Sequence, residues 1–252
     1  MRTVCPMDWR TPPQALAIAD DEIHLWVAIQ SEAPPGDALV SSLAQGELAR
    51  AQRLLRRPDR ELFILAHAML RDVLARYLRI TPGAIMLSSG AQGKPRLAEL
   101  HHSKLRFNLA HSGQAVLCGV AQGREIGVDI EASVPREDLR SIAAHFFAPD
   151  ECAALAVRTA SEQAEFFYLL WTRKEAYVKA RGTGLNLPLH EFSVLPAMGA
   201  PSDAVIRCLD TAAQTDWYCS DLPAPQGYAA ATVVAGSGCT LSRWRWPGML
   251  ST

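Results

Sequence analysis

Two segments fix most of what this chain can become. Gly127-Val128-Asp129-Ile130-Glu131 alternates apolar and acidic residues, the period of a half-buried strand. Val128 and Ile130 would face a core, so Asp129 and Glu131 would project together from the opposite face. Downstream, Trp171-Thr172-Arg173-Lys174-Glu175-Ala176-Tyr177-Val178-Lys179 reads as helix, with Glu175 and Lys179 one turn apart on one face. Two rigid elements can therefore bring three carboxylates and an ammonium to one place. Three oxygen ligands suit a hard divalent cation, usually Mg²⁺, that also holds a phosphate.

Each segment has a plainer account. Acid-apolar-acid triplets line solvated strand faces, and a Glu–Lys pair at i, i+4 on a helix surface contributes only about 0.2–0.5 kcal/mol. Against the first, Asp and Glu are poor strand residues and like charges side by side repel, which a cation would relieve. Against the second, Trp171, Tyr177 and Val178 pack the helix on more than one side, and Lys174 adds to the local basic charge. Gly182 and Gly184 supply the left-handed conformations that end this helix.

The rest of the chain repeats one plan. Glu22 to Gln30 reads as a strand, Leu39 to Arg57 as helix, and Pro58 or Asp59 opens a longer helix to Arg79. A short strand near Ile85 to Ser88 precedes a turn-rich loop, and Leu105–Ala110 with Ala115–Ala121 forms a hairpin. After the acidic strand, Glu125 to Glu131, come helices at Arg136–Phe147 and Asp150–Val157, then the long helix from Ser161 or Glu162 to Arg181. Strands follow at Phe192–Leu195, Ala204–Leu209, Asp216–Cys219 and Tyr228–Val234, and the tail from Leu241, with Trp244 and Trp246, packs on the surface. The expected fold is α+β, with two similar lobes, each a small and mostly antiparallel sheet against a long helix. The expected domains are residues 1–122 and 123–252.

At 252 residues the chain can bury a sizeable core. A net charge of −1 provides no global field for nucleic acid. Met1 to Arg10 lacks the apolar run of a signal peptide, and no stretch reaches membrane-spanning length, so the cytoplasm is the expected address. The six cysteines show no C-x-x-C pair and read as reduced thiols. A Walker-type loop, a nucleophile elbow, an H-E-x-x-H helix and a strand-linked G-x-G-x-x-G are all missing.

Four further residues stand out. His111 sits at the hairpin tip, where an imidazole could hydrogen-bond a phosphate, while Asn108 reads as a turn cap. Lys94 follows Gly93 in a loop, where backbone and ammonium can both reach a phosphate. Arg50, in an arginine-rich helix, reads by default as a solvated surface charge, and the run Arg53, Arg56, Arg57 and Arg60 reads as a solvated helix face or a basic path for an acidic partner.

The set Phe107–Gly113 (F-N-L-A-H-S-G), Gly127–Glu131, Trp171–Leu185 and Gly93-Lys94-Pro95 resembles the 4′-phosphopantetheinyl transferase superfamily. It is similar to the larger, single-chain type that activates surfactin synthetase. The resemblance implies two similar lobes with an active site between them, coenzyme A as donor, Mg²⁺ as cofactor, and an apo acyl carrier protein or peptidyl carrier domain as partner. By motif position it makes Asp129, Glu131 and Glu175 the metal ligands and sets Lys179 on the pyrophosphate. His111 and Arg50 would reach the 3′-phosphate, and Lys94 would lie by the nucleotide. Ala110 departs from the Ser or Thr usual in that position, which removes a hydroxyl from the phosphate site.

The implied reaction moves phosphopantetheine to a carrier serine and releases 3′,5′-ADP, with Glu175 as general base and Lys179 assisting the leaving group. The expected enzyme is a monomer. Two other readings share these residues: another Mg²⁺-dependent phosphoryl transferase, and a non-catalytic module that binds coenzyme A or a carrier.

Overall fold

Apolar periodicity and turn residues cut the chain into elements close to those expected. In the computed structural model, which describes residues 9–90, 93–184, 187–196, 206–207 and 216–248, strand β1 spans Glu22–Ile29. Short helices α1 (Gly36–Val40) and α2 (Gln45–Gln52) precede the long helix α3 (Arg57–Leu78). Strands β2 (Leu87–Ser89), β3 (Pro95–Leu97), β4 (Leu105–Ser112), β5 (Ala115–Gln122) and β6 (Ile126–Ala132) follow. Helices α4 (Leu139–Phe146), α5 (Pro149–Ala156) and α6 (Ala160–Arg181) lead to strands β7 (Ile206–Arg207), β8 (Trp217–Asp221), β9 (Tyr228–Ala235) and β10 (Thr240–Arg245). The fold is α+β, and the chain divides into two compact units, each with a sheet packed against a long helix. Among the described residues no helix is long and apolar enough to cross a membrane.

The first unit holds residues 9–90, 95–123 and 239–248. Its main sheet runs β10-β1-β5-β4, and β2 and β3 form a separate two-stranded ladder. On α3, Leu62, Leu65, Ala66, Met69, Leu70 and Val73 fall at helical spacing and bury one face against Trp26, Phe107, Val116 and Val120. Trp26 is fully buried, and its indole N–H donates to the Tyr77 hydroxyl at 3.0 Å.

Several expectations change here. The single helix expected over 39–57 is two: the Ser41 and Ser42 hydroxyls donate back to the Ala38 and Leu39 carbonyls and close α1. Glu47 then accepts from the Ala44 N–H at 2.8 Å and opens α2. Asn108 lies not in a turn but mid-strand, buried opposite Gly119. The tail is not laid on the surface: β10 pairs parallel with β1, and the Trp246 indole donates to Asp72 of α3 at 2.8 Å. Residues 239–248 thus belong to the first unit's sheet.

The second unit holds residues 93–94, 124–184, 187–196, 206–207 and 216–238. Its antiparallel sheet runs β6-β9-β8-β7. Helix α6 lies across β6 and β9, and Phe167, Leu170, Tyr177 and Ala180 are buried around its circumference. Thr159 and Glu162 form its capping box, and Gly182 ends it at φ +65°, its N–H donating to the Val178 carbonyl at 3.0 Å. The expected strand Phe192–Leu195 is irregular backbone after a 3₁₀ turn at Leu189–Glu191. Of the strand expected at Ala204–Leu209, residues 206–207 pair with β8. The remainder lies outside the described residues, as do Cys5, Cys208 and residues 1–8.

The largest correction concerns β6. It is buried from Ile126 through Ile130, not half-buried. Gly127, Asp129 and Glu131 stand opposite Val233, Ala231 and Ala229 of β9, and Ala231 and Val233 share a core with α6. The acidic face is therefore the one that α6 covers. Gly127 is the reason. A Cβ there would sit 2.0 Å from the Ala176 carbonyl oxygen and 2.4 Å from the Ala180 nitrogen, so helix backbone lies directly on strand backbone.

Gly127→Ala should destabilise the protein by about 3 kcal/mol or more, because backbone rather than a movable side chain must yield. A urea midpoint close to wild type would mean that α6 does not rest there.

Candidate functional site

The close seat of α6 on β6 puts side chains from the two elements within reach. Lys179 points its ammonium at Asp129, Nζ to Oδ1 2.5 Å, and the Asp129 side chain is only 3% exposed against 30% for Lys179. The second carboxylate oxygen, Oδ2, is buried and has no hydrogen-bond partner among the described residues. Such an orphan acceptor costs about 1–3 kcal/mol. Burial pushes the Asp129 carboxyl up to about 7 against the pull of Lys179, and the charges of Glu131 and Glu175 add to the rise. Glu175 is half-buried, and burial also raises its carboxyl, with Lys179 opposing and Glu131 reinforcing. The helix lysine is thus more than an i, i+4 partner of Glu175: its hydrogen bond goes across to the strand.

This donor set fits a hard cation. The oxygen that lacks a partner belongs to the most buried of three mutually repelling carboxylates, and a divalent ion would satisfy it and relieve the repulsion. Among the described residues, no three acidic, histidine or cysteine side chains are already gathered as a coordination sphere.

Two basic neighbours in the same helix do other work. Lys174 was expected to add to the local basic charge; it is instead fully buried and paired with buried Glu151 at 2.7 Å. Its ammonium also donates to the Leu189 and Phe192 carbonyls, while Glu151 accepts from the Ala148 and Val194 N–H groups. Arg173 forks onto Asp221 at 2.7 and 2.6 Å and donates to the Val194 carbonyl. Together they bind the segment after α6 to the helix that carries Glu175. Neither role is visible in the sequence, because both partners are remote along the chain.

Lys94 lies in the second unit. Its ammonium donates to Glu125 at 2.9 Å and to the Ile126 and Ala180 carbonyls at 3.0 and 3.1 Å. Arg50 and His111 lie in the first unit. Arg50, on α2, sits over the Phe63 ring at 5.5 Å. His111 is exposed near the end of β4, opposite Val116, with Ala110 buried before it. Gly127 is the residue that the motif reading passed over. A glycine on the acidic face of a strand, with Ala176 and Ala180 one turn apart on the helix, is the signal of a close approach.

Comparison with known proteins adds to this geometry. The family model of the 4′-phosphopantetheinyl transferase superfamily matches residues 125–233, and that of the 4′-phosphopantetheinyl transferase N-terminal region matches residues 26–122. The 4′-phosphopantetheinyl transferase HetI of Nostoc sp. is 33% identical over 240 residues, which cover 94% of this chain and 98% of that protein. The 4′-phosphopantetheinyl transferase Sfp of Bacillus subtilis is 32% identical over 158 residues, 63% of this chain and 68% of that one. A solved holo-(acyl-carrier-protein) synthase from Bacillus anthracis, in complex with CoA (3′,5′-ADP), matches 45% of this chain and 96% of its own at 22% identity and a TM-score of 0.38.

The raised Asp129 value has a consequence for stability. Folded protein keeps this proton up to about pH 7, whereas the unfolded chain, near its ordinary value of 3.8, has already lost it. Between those values the folded state binds more protons, so metal-free stability should fall as pH rises, by up to roughly 1.4 kcal/mol per unit. Asp129→Asn lacks this group's contribution to the slope and should gain on wild type steadily across that window. Urea melts in chelator at several pH values test this; a constant offset between the two proteins would sink it.

Proposed function

The chain belongs to the 4′-phosphopantetheinyl transferase superfamily, an enzyme whose class transfers phosphopantetheine from coenzyme A to a carrier protein, and we propose that its acceptor is a serine hydroxyl on an acyl or peptidyl carrier. The observation that carries the site assignment is the buried Asp129 carboxylate, one oxygen on Lys179 and the other without a partner, beside Glu131 and Glu175.

In this reading Asp129, Glu131 and Glu175 would hold Mg²⁺. When bound, the ion supplies positive charge against the diphosphate of coenzyme A. Glu175, whose half-buried carboxyl holds a proton more readily than usual, accepts the proton of the carrier serine. The serine oxygen bonds to the phosphorus that bears the pantetheine arm, and the bond from that phosphorus to the bridging oxygen breaks. The leaving group is 3′,5′-ADP, and Lys179 meets the charge that develops on it. Positioning and charge provide most of the rate, because little covalent chemistry falls to the protein.

His111 and Arg50 are the proposed contacts for the phosphates of coenzyme A in the first unit. Ala110 offers no hydroxyl, so binding there relies on His111 and on backbone amides. Lys94 differs from these two, since its ammonium already serves three protein acceptors. The proposed setting is a cytoplasmic monomer.

Incubation with coenzyme A, Mg²⁺ and a panel of apo-carriers, read by intact mass, should add one phosphopantetheine arm to at least one carrier. Tight coenzyme A binding without any mass gain would instead support a binding module, and a different added mass another phosphoryl transferase. Asp129→Ala should lower transfer by about 100-fold or more with the circular dichroism spectrum unchanged. Glu175→Gln should reduce kcat far more than it raises the KM for coenzyme A; equal losses in both would remove the general-base role.

A further inference from the structure

We propose that Lys94 is a positioning residue for this reaction, one that fixes helix α6 on strand β6 rather than holding coenzyme A; the proposal rests on the transferase reading above. An ammonium has three N–H donors and no acceptor. Those of Lys94 are directed at Glu125 Oε2, the Ile126 carbonyl and the Ala180 carbonyl at 2.9, 3.0 and 3.1 Å, and the side chain is 10% exposed. Two of the three acceptors are main-chain carbonyls of fully buried residues, and a phosphate that drew the ammonium away would leave them short of a donor.

The acceptors have a pattern. Glu125 immediately precedes β6 and Ile126 opens it, and that strand carries Asp129 and Glu131. Ala180 lies in the last turn of α6, where carbonyls have no partner within the helix and a positive charge meets the negative end of the helix dipole. Lys94 also packs its stem where the helix stops, since a Cβ on Gly182 would meet Lys94 Cδ at 3.4 Å. Along β6 the helix is therefore held at three successive points. Ile126 is joined to Ala180 through Lys94, Gly127 rests on Ala176 and Ala180, and Asp129 takes Lys179. The first two share Ala180, one residue beyond Lys179. Loosening the Lys94 joint shifts the end of α6 and with it the reach of Lys179 and Glu175 toward the strand carboxylates. A displacement of about 1 Å in such a constellation can cost on the order of 100-fold in rate.

The test compares Lys94→Met with wild type in steady-state transfer, in calorimetric titration with coenzyme A, and in hydrogen exchange of the ligand-free protein. The expected result is a kcat lower by about 10- to 100-fold. The coenzyme A KM and Kd should stay within about twofold. Exchange in peptides covering residues 126–131 and 176–182 should be faster. A KM and Kd raised about tenfold, with kcat and exchange unchanged, would assign Lys94 to the nucleotide and overturn the proposal. Should Lys94→Met not fold, Glu125→Gln weakens the same joint and is expected to change kcat and exchange in the same directions by a smaller factor; no change in either would also overturn it. Absence of transfer by wild type would defeat the transferase reading alone, because the exchange comparison needs no turnover.

Discussion

The contact on which the second unit depends is that between the backbone of β6 at Gly127 and the backbone of α6 at Ala176 and Ala180. Side chains normally hold a helix about 10 Å from the sheet it covers, roughly the spacing of packed layers. With no side chain at Gly127 and only methyl groups opposite, that spacer is removed locally. Asp129 is short, and so is the gap that its carboxylate must cross to meet Lys179. The same approach explains why the acidic residues tolerate burial: the helix that buries them also delivers the compensating ammonium.

The buried charges of this unit fall into two kinds. Lys174 and Glu151 are both fully buried, yet every polar atom of the pair has partners, so the network fixes structure and has no capacity for anything more. Arg173, also buried, forks onto Asp221, which is itself exposed, and likewise serves structure. The Asp129–Lys179 pair is as deeply set on the carboxylate side but leaves Oδ2 unmet and carries two further acids close enough to raise the Asp129 carboxyl. Satisfied networks stabilise; an unsatisfied buried acid next to them is a candidate functional site. Burial alone does not separate the two, whereas the hydrogen-bond partners do.

Much of this was legible in the sequence, and what was not has physical causes. The long helices α3 and α6, the β4–β5 hairpin and the strand identity of β6 follow from period and from turn residues, which act locally. The covered face of β6 does not follow, because alternation fixes which residues share a face but not what lies against it. Val128 and Ile130 suggested a core on their side; Gly127, on the other, was the better guide to the helix. Lys174 reads in the sequence as part of the local basic charge beside Glu175, because its partner, Glu151, belongs to a different helix. The strand nature of β10 rests on parallel pairing with β1 from the opposite end of the chain, and no local pattern records such a partner. Within the site, residue types and spacing pointed to Asp129, Glu175 and Lys179 together, but not to Lys179 hydrogen-bonding across to the strand.

The hydrogen bond from Lys179 to Asp129 also decides how the acids are held in the ligand-free protein. Carboxylates near enough to feel one another's charge repel, and in a partly buried site the repulsion is only weakly screened. Two responses are open to a protein: keep one acid protonated, or lend it a positive side chain. Here both are present, since burial favours the protonated form of Asp129 while Lys179 lies against Oδ1. Either response answers one oxygen and leaves the other without a partner. A compact ammonium on a flexible stem, 30% exposed, can turn toward an incoming diphosphate at little cost, whereas a rigid guanidinium fork on the same carboxylate would resist displacement. A lysine rather than an arginine at this position therefore suits the proposed role, in which the residue holds a buried acid in the resting protein and stays available to phosphate oxygens.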